Sequence, residues 1–309
     1  MSSRARNKSR PLWHPLLWPS WLALGVGWLL ARLPTRVQVR LGGAFGSLFW
    51  AVAKDRRHVV LTNLKLCFKN QSDQERLLLA KSVFTGTGIA FMETLWTWLG
   101  NQYQKPDHLA RTRIEGLEIV QQAHAQGRGV VLVGAHLMAL EAITPKISKA
   151  IDLDVIYRYN KNPVIEWLMV RGRGRYFPNV IEREDARAIL QSLKDGHIIW
   201  YAADQDYGAK HSVFADFFGV SAATITGTAR LAKFRDSPVV VLSQHRDIAA
   251  HEWLIRFEAV PENYPTGDSC YDAQVINDAL ETAIRRTPEQ YLWLHRRFKT
   301  RPPGQPKLY

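Results

Sequence analysis

The residues best suited to chemistry are His136 and the acids and arginines that the chain can bring towards it. His136 closes the stretch Gly129-Val130-Val131-Leu132-Val133-Gly134-Ala135-His136, and Glu141 follows five positions later. An imidazole held by a carboxylate on one ring nitrogen keeps the other nitrogen free as a base. Residues five apart on a helix point about 140° away from each other, so the pair can meet only where His136 sits at or before a helix start. The short, Val-rich run bounded by glycines predicts a buried strand. His136 would then emerge at its C-terminal end, where open α/β sheets place their ligands. The spacing alone does not select it, because His211 and Asp216 repeat the spacing in a polar stretch after Gly208. A structural histidine satisfied by the fold is the competing reading of His136.

Other charged residues fall at places where they could join such a site. Arg171-Gly172-Arg173-Gly174-Arg175 follows an apolar helical pattern, and alternating Arg with Gly lets backbone and guanidinium forks approach an anion. A basic helix end offsetting its own dipole is the alternative. Arg158 follows Tyr157 at the end of a predicted strand. Asp204 and Asp206 lie after Ile198-Ile199-Trp200-Tyr201-Ala202 and reach the same sheet edge as His136 if the two strands are parallel. The spacing of two could serve a metal, but no third ligand is evident, and Asp204 is expected to pair with an arginine of the site. Cys67 and Cys270 form neither a disulfide framework nor a zinc site.

The elements that must position these residues are legible in outline. Strands are expected at 129–134, 153–158, 197–202, 239–244 and 253–260, and helices at 137–149, 163–171, 184–194, 224–234 and 272–286. This alternation from about residue 112 predicts an α/β class with a mostly parallel central sheet flanked by helices. Before it runs a helical lead-in. Val37, Leu41, Phe45, Leu48 and Val52 predict a helix over 36–53, whose Gly42 and Gly46 would admit another helix closely. Ser72 with Glu75 resembles a capping box opening a long helix to about Leu99.

Charge and hydropathy point to a lipid surface. The net charge of +13 is concentrated at the ends, with +8 in residues 1–54, +6 in residues 285–309 and −1 between them. Such ends suit phospholipid headgroups or an acidic carrier protein. Nucleic acid is disfavoured, since neither zinc-finger spacing nor an aromatic RNA-recognition signature is present. Leu12 to Ala31 is twenty residues without a formal charge, containing Trp13, Trp18, Trp21 and Trp28 but broken by Pro15 and Pro19. Residues 1–35 are therefore expected to be a basic N-terminus with a membrane anchor, and 36–309 the body, on the cytoplasmic side. No Gly-x-Ser-x-Gly elbow marks a serine hydrolase.

From anchor to C-terminus the chain resembles the late lipid A biosynthesis acyltransferases, the lauroyl/myristoyl transferase family of the glycerolipid-acyltransferase-like superfamily. The resemblance rests on His136-x4-Glu141, Tyr157-Arg158 with Asn162-Pro163, Gly172-Arg173, Trp200-Tyr201-Ala202 with Asp204-x-Asp206-Tyr207-Gly208, Thr226-Gly227-Thr228, and Pro288-Glu289-Gln290-Tyr291 with Trp293-Leu294-His295-Arg296-Arg297-Phe298-Lys299. It implies transfer of a fatty acyl chain from acyl carrier protein to a 3-hydroxyacyl hydroxyl of a Kdo-bearing lipid A precursor, at the bacterial inner membrane. His136 would be the base, Glu141 would orient it, and Arg173, held by Asp204, would meet phosphate or oxyanion charge beside Arg175 and Arg158. Neither cofactor nor metal is implied. A glycerophosphate or other glycolipid acceptor, and a non-catalytic lipid-binding protein, are the alternatives.

Overall fold

The computed structural model describes residues 11–100 and 106–309; the basic residues Arg4, Arg6, Lys8 and Arg10 lie outside them. Pro15 and Pro19 divide the uncharged N-terminal stretch. A 3₁₀ turn at Pro15–Leu17, capped by His14, precedes α1 (Trp18–Leu30). Thirteen residues rise about 20 Å, short of the ~30 Å of bilayer hydrocarbon. Among the described residues, no helix is long and apolar enough to cross a membrane.

The lead-in continues as α2 (Thr35–Val52), α3 (Lys54–Cys67), which sequence periodicity did not reveal, and α4 (Asp73–Leu99). Ser72 and Glu75 form the capping box that starts α4: Ser72 N donates to Glu75 Oε2 at 2.6 Å, and Glu75 N donates to Ser72 Oγ at 3.2 Å. Gly42 and Gly46 do admit a partner helix. A Cβ at Gly42 would stand 2.8 Å from the Ile89 Cα, and one at Gly46 would strike the Phe84 carbonyl, so α2 and α4 touch backbone to backbone.

The body alternates as expected: α5 (Pro106–Ala110), β1 (Thr112–Glu115), α6 (Leu117–His124), β2 (Val130–Gly134), α7 (Thr144–Ala150), β3 (Leu153–Tyr157), α8 (Pro163–Arg173), β4 (Val180–Glu182), α9 (Ala186–Lys194) and β5 (Ile198–Ala202). A separate hairpin of β6 (Ser212–Phe217) and β7 (Val220–Ile225) precedes α10 (Gly227–Arg235), β8 (Val239–Asp247), β9 (Glu252–Ala259) and α11 (Ser269–Arg286). The seven-stranded sheet has the order β1-β9-β8-β2-β5-β3-β4. Strands β8, β2, β5, β3 and β4 run parallel, and β9 turns back antiparallel to β8. Every residue of β2 is buried, because cores lie on both faces: Val131 and Val133 on one, Val130 and Leu132 on the other.

Two expected helices are shorter than their sequence patterns. Residues 138–143 form turns, and α7 begins only at Thr144. The C-terminal segment takes up the backbone there: Leu137 bridges to Tyr291, and Met138 N donates to Gln290 O at 2.7 Å. Similarly, Thr224 and Ile225 finish β7 rather than opening α10, since each pairs across the hairpin.

Candidate active site

Parallel register creates the centre of the site. Leu132 lies opposite Trp200 and Gly134 opposite Ala202. Side chains two residues apart on a strand share a face, so continuing the register brings His136 and Asp204 together on one side. The His136 Nδ1 stands 2.6 Å from Asp204 Oδ1, and the His136 backbone N donates to Asp204 Oδ2 at 3.1 Å. The carboxylate thus grips the ring and the main chain of the same residue. With Nδ1–H facing Asp204, Nε2 carries the lone pair. The imidazole is 31% exposed, whereas Asp204 is buried.

Electrostatics separates His136 from the other buried histidines. Burial pushes His108, His245 and His295 down to about 4. Burial also disfavours the His136 cation, but the charge and hydrogen bond of Asp204 outweigh it and leave its pKa raised. Burial disfavours the Asp204 anion too, yet His136 holds it down at about 2. The Tyr291 hydroxyl, delivered by the C-terminal segment, also favours the Asp204 anion. A structural histidine buried neutral would shift the other way.

Glu141 does not orient the imidazole; it holds an arginine. Its Oε1 accepts from Arg173 Nη2 at 2.5 Å and from Nε at 3.1 Å, and its Oε2 accepts from the Trp98 indole at 2.8 Å. The expected partners are therefore exchanged: Asp204 serves His136, and Glu141 rather than Asp204 holds Arg173. The reason is the turn over 138–143, which replaces the expected helix and fixes Glu141 against the end of α4, where Thr97 Oγ1 donates to the Glu141 carbonyl at 3.0 Å. Arg173 remains close enough that its charge opposes protonation of His136. Both pairs belong to one site.

Gly172 serves packing rather than anion approach, since a Cβ there would sit 2.7 Å from the Trp98 ring. Arg175 reaches the Trp98 carbonyl at 3.0 Å. Arg158 is exposed beyond β3, outside the hydrogen bonds centred on His136 and Glu141. Asp206 is structural: it accepts from Thr300 N at 2.7 Å and Thr300 Oγ1 at 2.8 Å. His211 and Asp216 lie in a 3₁₀ turn and on β6, where the Asp216 backbone is tied to Gln274. Among the described residues, no group of three or more His, Cys, Asp or Glu is placed to hold a metal ion. Sequence reasoning gave neither Trp98 nor Tyr291 a role in the site, although Tyr291 lies in a stretch that carries the family resemblance; both act from elements distant in sequence.

Beside Glu141 and Arg173 opens a narrow apolar crevice of about 20 Å³, walled by Leu140, Ile143, Ile147, Val155, Phe177 and Trp200. A base, an ion pair and an apolar wall stand together at the C-terminal edge of a parallel sheet. That suits proton removal from a hydroxyl beside a hydrocarbon chain.

Residues 6–300 match the family described as bacterial lipid A biosynthesis acyltransferase. The chain belongs to this family. As a member it is an acyltransferase, and its relatives span its length. It is 38% identical over 304 residues to the lipid A biosynthesis lauroyltransferase of Escherichia coli (strain K12), covering 97% of this chain and 98% of that one. It is 37% identical to the palmitoleoyltransferase of the same organism, with 97% of each chain covered. The E. coli lipid A biosynthesis myristoyltransferase is 27% identical, over 96% of this acyltransferase and 91% of its own length.

Proposed function

We propose that this acyltransferase moves a fatty acyl chain from the thioester of acyl carrier protein to a 3-hydroxyacyl hydroxyl of a Kdo-bearing lipid A precursor. The hydrogen bond between His136 Nδ1 and Asp204 carries the reading. It directs Nε2 towards the acceptor and raises the imidazole's basicity, which a weakly acidic alcohol requires. Nε2 takes the hydroxyl proton as the alkoxide oxygen bonds to the thioester carbon. The tetrahedral oxyanion lies near Arg173, whose guanidinium Glu141 holds in place. Collapse restores the carbonyl and breaks the carbon–sulfur bond, and the imidazolium returns its proton to the leaving thiolate. The apolar crevice beside Glu141 is the entrance for the acyl chain, and it must widen to admit one.

We further propose that residues 1–35 anchor the protein in the cytoplasmic face of the inner membrane, lying in the surface rather than crossing it. Trp18, Leu22, Val26 and Leu29 on α1 are exposed, as are Leu41, Phe45, Leu48 and Val52 on α2. An exposed apolar face rich in tryptophan beside arginines is suited to the headgroup boundary. The C-terminal cations contribute less than their number suggests, since Arg285 pairs with Glu281, Arg286 with Glu258, and Arg297 is buried.

The direct test incubates purified protein with acyl-carrier thioester and either a Kdo-bearing lipid A precursor or a lysoglycerophosphate, and identifies products by mass spectrometry. Acylation of the first alone is the expected result. Acylation of the glycerophosphate alone overturns the acceptor, and equal turnover by His136→Ala overturns the mechanism.

A further inference from the structure

Helix α3 carries cations where they oppose the helix itself. Lys54, Arg56 and Arg57 stand in its first turn, where Asp55 is the only acid. Unpaired backbone N–H groups already make that end positive, so added cations weaken the helix rather than cap it. Both arginines are occupied: Arg56 Nη1 donates to the Leu294 carbonyl and Arg57 Nη1 to the Trp50 carbonyl, each at 3.2 Å. The lysines are not so engaged. Lys54, His58 and Lys65 recur at spacings of four and seven, which puts them on one face, and all three are exposed. Among the described residues, neither Lys54 nor Lys65 pairs with an acid.

The inner face of α3 ties this helix to the site. Asn63 Nδ2 donates to the Trp293 and His295 carbonyls, each at 2.8 Å, so the C-terminal segment lies against the helix. Within that segment, Leu292 N donates to the His136 carbonyl at 3.1 Å. Four residues span at most about 14 Å, which keeps the exposed Arg296 near His136. Lys299, also exposed, precedes Thr300, whose backbone N donates to Asp206 at 2.7 Å, two positions beyond Asp204. No acidic side chain occurs from Tyr291 to Tyr309. Two touching elements therefore present Lys54, Lys65, Arg296 and Lys299 outward, beside the site.

This surface differs from the apolar faces of α1 and α2. Their exposed side chains stop at Val52, and no large apolar side chain is exposed in residues 53–76 or 287–309. A helix lying in a bilayer surface sets Trp, Phe or Leu opposite its cations. Exposed cations without them suit a soluble acidic protein, whose approach they speed and orient.

We propose that Lys54 and Lys65 on α3, with Arg296 and Lys299, form the docking surface for the acidic carrier protein that delivers the acyl thioester. The partner's identity rests on the acyl-transfer reading above, whereas the surface is assigned from its charge and its place.

The test measures binding of acyl carrier protein to the full-length protein in neutral detergent. The carrier bears an amide-linked acyl chain, which cannot be transferred. Lys54→Glu with Lys65→Glu, and separately Arg296→Glu with Lys299→Glu, are expected to raise Kd about tenfold or more and to flatten its salt dependence. Lys54→Arg with Lys65→Arg should keep the original affinity. All four side chains are exposed, so unfolding midpoints should hold; should one pair fail to fold, the other pair and Lys54→Gln alone are measured. Co-sedimentation with anionic phospholipid vesicles should be unaltered. A carrier that binds the unsubstituted protein and every variant alike overturns the docking surface alone. An unsubstituted protein that binds no carrier overturns the donor in the acyl-transfer reading, and the surface with it. Weaker vesicle binding with unchanged carrier affinity gives these cations to the membrane and overturns the proposal.

Discussion

Asp204 holds His136 through two atoms of the same residue, the ring Nδ1 and the backbone nitrogen, across 68 positions of sequence. The grip follows from the pairing of β2 with β5: once Gly134 lies opposite Ala202, the next pair on that face is His136 and Asp204. A tilt of the imidazole would cost a charge-assisted hydrogen bond to a buried carboxylate. The ring is therefore set before any substrate arrives.

Asp204→Asn is expected to lower kcat by roughly 10²-fold or more, the scale of a misplaced general base. It should also move the pH profile. The neutral imidazole is the reactive form, so the rate rises as pH passes its pKa, which Asp204 holds above the ordinary value of 6.5. Removing the charge lowers that pKa, and the acid limb should shift to lower pH. By the same linkage, the raised pKa stabilises the native state fully below 6.5, and the contribution is lost as pH rises through the folded-state value. A limb that stays in place in Asp204→Asn would remove Asp204 from the proton relay.

Glu141 and Arg173 should behave as one unit. Their side chains are 11% and 17% exposed, so removing either leaves the other poorly solvated. Glu141→Gln and Arg173→Gln are each expected to depress turnover severely, with the double variant little worse than either. A cycle on kcat/KM should give a coupling of about 0.5–3 kcal/mol. Additive losses would mean that Glu141 acts elsewhere, as on the imidazole, and would reinstate the simpler reading of its five-residue spacing.

The contrast between these pairs shows how far sequence carries. Strand positions and their parallel order were readable from Val130-Val131-Leu132-Val133 and Ile198-Ile199-Trp200, whose apolar runs fix both faces. That sufficed to bring His136 and Asp204 to one edge. Their pairing required the register, which no local pattern states. Glu141 was misassigned because Leu137 and Met138 look helical and yet give their backbone to residues 290 and 291. Trp98, at the end of a long greasy helix, reads as core; only the fold turns its indole nitrogen to Glu141. The β6–β7 hairpin went unread because Thr224 and Ile225 continue smoothly into the pattern of α10.

The α2–α4 contact offers a test of packing independent of chemistry. A Cβ at Gly46 would meet Phe84 and Thr85 backbone atoms, the Thr85 Cα at 2.7 Å, so Gly46→Ala must push the helices apart. A cost of about 1–3 kcal/mol is expected, as for other overpacked sites. Gly43→Ala, one turn away, meets only the Thr85 methyl at 3.7 Å and gains helix propensity. It should be neutral or stabilising by up to ~1 kcal/mol. Thermal or denaturant midpoints of the two variants decide the matter, and equal midpoints would contradict this close approach.

The apolar face of α1 is expected to set membrane affinity without supporting the fold. Leu22 is 73% exposed and Leu29 61% exposed, so neither contributes much burial to the folded protein. Each would gain roughly 1.5–3 kcal/mol on full burial in hydrocarbon. Leu22→Glu with Leu29→Glu should therefore leave the unfolding midpoint nearly unchanged while reducing co-sedimentation with phospholipid vesicles more than tenfold. Loss of both together would mean that α1 is part of the structural core. Retention of both would move the membrane-binding face to α2, whose Leu41, Phe45, Leu48 and Val52 are the next side chains to replace.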